Sequence, residues 1–432
     1  MHAGSEWLLV KAGRLIDGTG AAAKSNAAVL ARGDLIVEVG AAASVRAPDG
    51  ARFIDAPNAT IIPGLVDCHH HVTYSGHIGI GQLEWPLSLE YSAVCAGANA
   101  ARALSYGYTS AMDVGCRGLI GVATRDAIEK GVINGPNLRV SGQILNTVGG
   151  PLDIWPSTMR FDSHTRLATF VSGVEDVRRT IREQLKEGVD NVKLQTTRST
   201  VQPAGRGRAV TFTEEELAAA VGFAHDHGLS IAVHAEGSEG IQEAIRAGFD
   251  TVQHASFIDD ECIDLLERHP TTHVVFTLGV YDGILELGPQ IGYPLESIER
   301  VRAVWQQMLD GVRLAYARGV PFAAGSDCGG AVHPHGRYAR DVVLFVRECG
   351  MSVEHALRAV TLYAATAGWF EGRGSLSPGH FADLAVVEGD LTKRIELLED
   401  EASVRVVVRG GVVVKELTPS AIRTEAAPVS AS

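Results

Sequence analysis

Six polar side chains stand at or near the ends of short apolar runs in this 432-residue chain. The run IIPGLVDCH leads into Asp67-Cys68-His69-His70-His71, and VDNVKLQT holds Lys193 among apolar neighbours. LSIAVHAE ends near His234, DTVQHAS near His254 and VPFAAGSD at Asp327. Imidazole and carboxylate are the usual ligands of zinc and similar ions. Four histidines and an aspartate at one rim would repel one another on protonation and lack partners without a cation. His69 and His71 are two residues apart, so on a strand they share a face and can bind one ion, while His70 points the other way. Lys193 is the unusual member. An ammonium beside metal cations is unfavourable, and desolvation lowers its pKa. The neutral amine can then add carbon dioxide and become an anionic, bidentate carbamate able to bridge two metals.

Each of these residues has a plainer reading when taken singly. A strand-end histidine is more often a hydrogen-bonded core residue, a strand lysine is usually exposed, and an aspartate after Gly-Ser is commonly a helix N-cap. The coincidence of six at successive strand ends favours a site.

The elements that must position them are legible. From about 61 to 375 the chain alternates eight apolar runs with amphipathic stretches such as 174–188, 213–228 and 238–248. Thr213 followed by Glu216 forms a capping-box pattern. Eight runs separated by helices predict a (β/α)8 barrel, whose catalytic groups project from the C-terminal ends of its strands. Residues 7–62 and 376–416 instead show short alternating runs broken by turn residues, which predicts small antiparallel strands. The expected organisation is an α/β chain with two units. A small β domain is built from residues 1–62 plus 376–432, and a catalytic barrel from 63–375.

Composition agrees. Hydrophobic residues make up 46% and charged residues 21%, enough for a large core, and 48 glycines suit many tight loops. The net charge of −13 argues against a nucleic-acid or anionic-membrane surface. The six cysteines form no CxxC pair, which predicts reduced thiols in a cytoplasm. No secretory signal and no run of about 18 apolar residues is present, so no membrane partner is expected.

PGLVDCHHH (63–71) resembles the PGLIDxHxH signature of the amidohydrolase superfamily. SLSPGHFADLAVVEGD (375–390) resembles its closing motif, and the split β domain resembles its β-sandwich. Within the superfamily the chain is similar to the imidazolonepropionase-like and prolidase-like group. GYTSAMDVG (107–115), REQLKEGVDNVKL (182–194) and VHAEGSEGIQEAIRAGFDTVQHASFIDDE (233–261) match that group's blocks. The resemblance implies that His69, His71 and Asp327 hold the more buried metal and that His234 and His254 hold a second. Lys193, as a carbamate, would bridge the two. Two divalent ions are implied, zinc foremost, with manganese and cobalt also suited to such ligands. The implied reaction is hydrolysis of an amide or peptide bond by a metal-bridging hydroxide, with Asp327 as general base and then acid. A small-molecule substrate and a homo-oligomer are further expectations.

Departures from the family pattern bear on the substrate. The group's GGH loop is here Gly149-Gly150-Pro151, so a histidine expected near the substrate carbonyl is missing or supplied from elsewhere. Glu236 stands where relatives place Tyr or His. It would repel a free carboxylate, or it caps the helix beginning near Ser238. His335-Gly336 matches the family's HG, with His335 expected to hold substrate or orient Asp327, while His333 reads as surface. Trp85 and Trp155 could stack on a substrate ring, although simple loop packing is commoner for any given Trp. Tyr281 is a weaker candidate of the same kind.

An N-acyl amino acid, a dipeptide and an aryl amide all fit this reading. The same site could act on a carbamate, urea, cyclic amide or lactone, since this superfamily reuses one centre for many leaving groups. A non-catalytic barrel is the distant alternative, because such proteins usually lose ligands.

Overall fold

The structure is a computed structural model. It describes residues 7–84, 87–159, 165–202, 210–417 and 423–426. Four strands open the chain: β1 (Trp7–Leu15), β2 (Lys24–Arg32), β3 (Leu35–Ala41) and β4 (Arg52–Pro63). β2 pairs antiparallel with both β1 and β3, but β1 runs parallel to β4. The expectation of purely antiparallel strands therefore fails at that pair, because the 42–51 connection returns the chain in the same direction as β1.

β4 continues almost directly into the barrel. Between it and β5 (Leu65–His70) lies Gly64, where an added Cβ would sit 2.1 Å from the Thr109 hydroxyl. Only glycine permits that approach, and it lets the sheet strand feed the first barrel strand. The other barrel strands follow in order: β6 (Tyr108–Asp113), β7 (Asn137–Val140), β8 (Ile144–Thr147), β9 (Ala168–Val171), β10 (Asn191–Gln195), β11 (Ser230–Ala235), β12 (Thr251–His254), β13 (His273–Phe276) and β14 (Phe322–Ala324). All their pairings are parallel.

The third run is broken at 141–143, so β7 pairs with β6 while β8 pairs with β9 and β10. Two seams close the ring. Asp190 N donates to Val140 O at 2.8 Å on one side, and Asp327 N donates to His69 O at 2.8 Å on the other. The seventh run is strand only over His273–Phe276. Its remainder enters a helix, Leu278–Glu286, that carries Tyr281.

The helices follow the amphipathic stretches. Val174–Lys186 and Ser238–Ala247 bury one face each, and Glu214–Asp226 starts at a capping box in which Thr213 and Glu216 bond reciprocally. The barrel core is aliphatic, with Val192, Leu194, Ile231, Val233, Val252 and Val274 buried. Each such side chain contributes about 1.5–3 kcal/mol when fully removed from water.

After the barrel the chain returns to the first sheet as β15 (Leu384–Glu388), β16 (Val404–Arg409) and β17 (Val412–Glu416). β15 pairs antiparallel with β4, and a short β18 (Arg423–Ala426) pairs with β4 as well. The strand order is β17-β16-β15-β4-β1-β2-β3, so both chain ends share one mixed sheet. The fold is a (β/α)8 barrel with a β-sandwich domain from both termini. Among the described residues no helix is long and apolar enough to cross a membrane.

Candidate metal centre

β5 delivers the first histidines. His69 Nδ1 lies 2.8 Å from Gln253 Oε1, and His71 Nδ1 lies 2.8 Å from Gly115 O. Those contacts occupy one nitrogen of each ring and leave both Nε2 atoms converging, 3.1 Å apart. Asp327 Oδ1 completes the triangle, 3.7 Å from His69 Nε2 and 3.5 Å from His71 Nε2. Three atoms so spaced can all reach one central ion at about 2 Å, the length of a zinc–nitrogen or zinc–oxygen bond. His254 joins the same rim, since its ligand atom, one from His69 and one from Asp327 all lie within 4.8 Å of one another.

The backbone is strained at these positions. His254 has φ 71°, Ala255 47° and Asp327 50°, values a non-glycine residue rarely adopts. His70 points away from the rim, its Nδ1 3.0 Å from Asp67 Oδ2. The Asp67 carboxylate also accepts from Ser326 N at 2.8 Å, Ser326 Oγ at 2.6 Å and His69 N at 3.1 Å. It thereby ties β5 to the segment carrying Asp327.

Lys193 projects from β10, and the register sets Gln195 opposite His234 and Ala235 opposite His254. Strand pairing therefore stacks these three side chains in steps around the rim. Lys193 is 2% exposed, and its Nζ has no hydrogen-bond partner among the described residues. Burial lowers its pKa to about 7, a shift the Asp327 carboxylate partly offsets. Burial also pushes His71 and His234 down to about 3 and takes His69 and His254 well below the usual imidazole range, with the Lys193 charge adding to each. Asp327 is raised to about 7, chiefly by burial and against the pull of Lys193. Neutral imidazoles, an amine that is readily neutral and a carboxylate are the donors that zinc, manganese and cobalt accept. The orphaned Lys193 Nζ is the atom that a carbamate would supply with partners.

A cavity of about 330 Å³ opens over these groups. Ile144, Leu152, Ile154, Val280, Ile284 and Val332 form an apolar wall, and Tyr74, Tyr281 and Tyr293 also line it. Of the substrate-contact candidates, Tyr281 reaches the cavity. Trp155 does not. Its Nε1 donates to Glu84 Oε2 at 2.6 Å, and Ile154 beside it lines the wall instead. Trp85 lies outside the described residues.

His335 is not at the cavity either. Its ring sits between Tyr338 Oη at 3.0 Å and Tyr74 O at 3.2 Å, bracing the loop after β14. His333, read as surface, is completely buried. Glu236 is 1% exposed and absent from the cavity lining, and it does not cap the helix at Ser238, whose N-cap Gly237 has no side-chain bond. Its Oε2 accepts from Thr200 N at 3.0 Å, from Thr200 Oγ1 and from Ser256 Oγ at 3.3 Å. Pro151 is buried where relatives carry the GGH histidine, and that loop offers Leu152 and Ile154 to the cavity.

Sequence reasoning missed Gln253, Tyr74 and His77. Gln253 had a signal, an amide inside the apolar run DTVQH, and it proves to orient His69. Tyr74 stacks on His71 at 4.1 Å and His77 stands edge-on to Tyr74 at 4.6 Å. Both lie in the loop after β5, which has no periodicity to read.

Comparison with known proteins gives the family and the fold. The sequence model described as "Amidohydrolase family" matches residues 60–414. Ochratoxinase from Aspergillus niger is 27% identical over 431 residues, covering 93% of this chain and 85% of that protein. A solved Xaa-Pro dipeptidase with bound methionine in its active site superposes with TM-score 0.85 at 30% identity, over 95% of this chain and 100% of that one. The crystal structure of A. niger ochratoxinase superposes with TM-score 0.84 at 25% identity, over 96% of each chain.

Proposed function

The chain belongs to the amidohydrolase family and is a hydrolase of C–N bonds, and on that premise we propose that it cleaves the amide bond of a small apolar molecule with two divalent ions. The observation that supports this most is the convergence of His69 Nε2, His71 Nε2 and Asp327 Oδ1 within 3.1–3.7 Å of one another, beneath an apolar cavity. His69, His71 and Asp327 would hold one ion, His234 and His254 the other, and Lys193 as a carbamate both. Bound ions supply Lewis acidity and a water that ionises near neutral pH.

The chain's own groups do the rest. Gln253 and Gly115 engage the Nδ1 of His69 and His71 at 2.8 Å and so direct their Nε2 atoms to the rim, and Thr277 engages His254 Nδ1 at 2.8 Å. Asp327, whose carboxylate stands at the same rim, takes the proton of the attacking water and returns it to the leaving nitrogen. The apolar wall excludes competing water and seats the substrate's hydrocarbon flanks. Tyr281 presents its ring at the same wall.

The Xaa-Pro dipeptidase is by its name a peptide-bond hydrolase, which supports this bond over its alternatives. A screen of zinc-loaded protein tests the reading. Aryl amides, N-acyl amino acids and dipeptides should turn over, and chelator-treated protein should not. Turnover confined to carbamates, ureas, cyclic amides or lactones would move the function to that second class. Protein that binds no divalent ion would sink it.

A further inference from the structure

Each of the four rim imidazoles has one nitrogen set against a supporting protein group, and what that group is differs. For His69, His71 and His254 that nitrogen is Nδ1, and its partner is neutral: the Gln253 amide, the Gly115 carbonyl and the Thr277 hydroxyl. For His234 it is Nε2. This atom is shut off from solvent and has no hydrogen-bond partner among the described residues. The nearby Glu236 Oε1, 3.5 Å away, is likewise buried and without a hydrogen-bond partner. One is an N–H donor and the other a carboxylate acceptor, so each supplies what the other lacks. Nδ1 is then the His234 nitrogen left to face the cavity.

The carboxylate is held for this purpose. Oε2 is occupied by the Thr200 amide, the Thr200 hydroxyl and Ser256 Oγ, and the Glu236 amide is anchored on Thr197 Oγ1 at 3.1 Å. These bonds leave Oε1 3.5 Å from His234 Nε2, with the Tyr281 hydroxyl as the carboxylate's other polar neighbour. The backbone of Arg198 is the competing polar neighbour of His234.

We infer that Glu236 is a positioning residue: its Oε1 accepts the Nε2–H of His234, fixes the tautomer in which Nδ1 binds the second ion, and makes this the one charge-assisted imidazole of the site. The inference rests on the two-ion reading above and revises the expectation that Glu236 reads the substrate. Carboxylate partners raise the basicity of a ligating imidazole, and their loss typically costs 10–100-fold in metal affinity. The second ion is accordingly held more firmly than a neutral acceptor would hold it.

The test is metal retention, not turnover. Full-length wild type and Glu236→Gln are loaded with zinc, challenged with graded chelator and assayed for bound metal. The expected result is a roughly 10–100-fold weaker hold on one of the two ions, with the other unchanged. In the cobalt-loaded protein the visible absorption of that one site should shift. Should Glu236→Gln fail to fold, Thr200→Val with Ser256→Ala removes two of the three bonds that hold the carboxylate and should weaken the same ion.

Equal retention of both ions and an unchanged cobalt spectrum would overturn the inference while leaving the two-ion reading standing. Wild-type protein that holds fewer than two ions would overturn both.

Discussion

Replacing Lys193 with methionine should make the metal-free protein more stable and cost it its second ion. The amine is 2% exposed and has no hydrogen-bond partner among the described residues, and burial takes its pKa from 10.5 to about 7. That depression corresponds to about 5 kcal/mol of differential cost for the ammonium. Between pH 7 and 10.5 the unfolded chain binds this proton more readily than the folded one, so stability rises with pH across that window. The penalty is complete below 7 and absent above 10.5.

Asp327 does little to relieve it in acid, because that carboxyl is itself raised to about 7 and is largely neutral at lower pH. Methionine keeps the length and removes the proton. Urea denaturation of chelator-treated protein should therefore show Lys193→Met more stable by on the order of 3–5 kcal/mol at pH 6, with the gap closing toward pH 10. The same variant should bind fewer divalent ions than wild type. A variant no more stable than wild type at pH 6, or a gap that does not narrow with pH, would refute the account of a buried, destabilising lysine kept for its chemistry.

Asp327→Asn should keep its ions yet lose about 10²–10⁴-fold in turnover, measured with the best amide substrate, since the amide cannot relay a proton. Ile154→Asp places charge on the cavity's apolar wall at a residue 44% exposed, so folding should survive. Its kcat/KM for apolar amides should fall roughly ten-fold or more, and an unchanged value would remove the wall from the substrate site. Five of the six cysteines are buried and Cys95 is half-buried. An aromatic disulfide reagent should thus label at most about one thiol in the native protein and the remainder only on unfolding.

The barrel and a β domain shared by both termini were readable from linear pattern, and strand ends marked out six polar residues that line one cavity. Strand and helix periodicity depends on neighbours in the chain, and a strand's end marks which rim its polar residue joins. His69 and His71 needed only the two-residue repeat of a strand to share an ion. The parallel pairing of β1 with β4 was not legible, because it depends on a connection with no periodic signal.

The surroundings of the rim belonged to the tertiary structure alone. Gln253 orients His69 across 184 positions of sequence, and Asp67 ties its own strand to Ser326 across 259. Glu236 looked like a substrate contact or a helix cap, and only the meeting of β11 with the Thr200 and Ser256 segments turned it onto His234. His335 matched a family motif in sequence, yet the packing of Tyr338 and Tyr74 drew its ring away from the cavity. A residue's type and its place on a strand follow from local sequence. The direction in which its second nitrogen or oxygen points is set by whichever distant group arrives to satisfy it, and burial makes that choice compulsory.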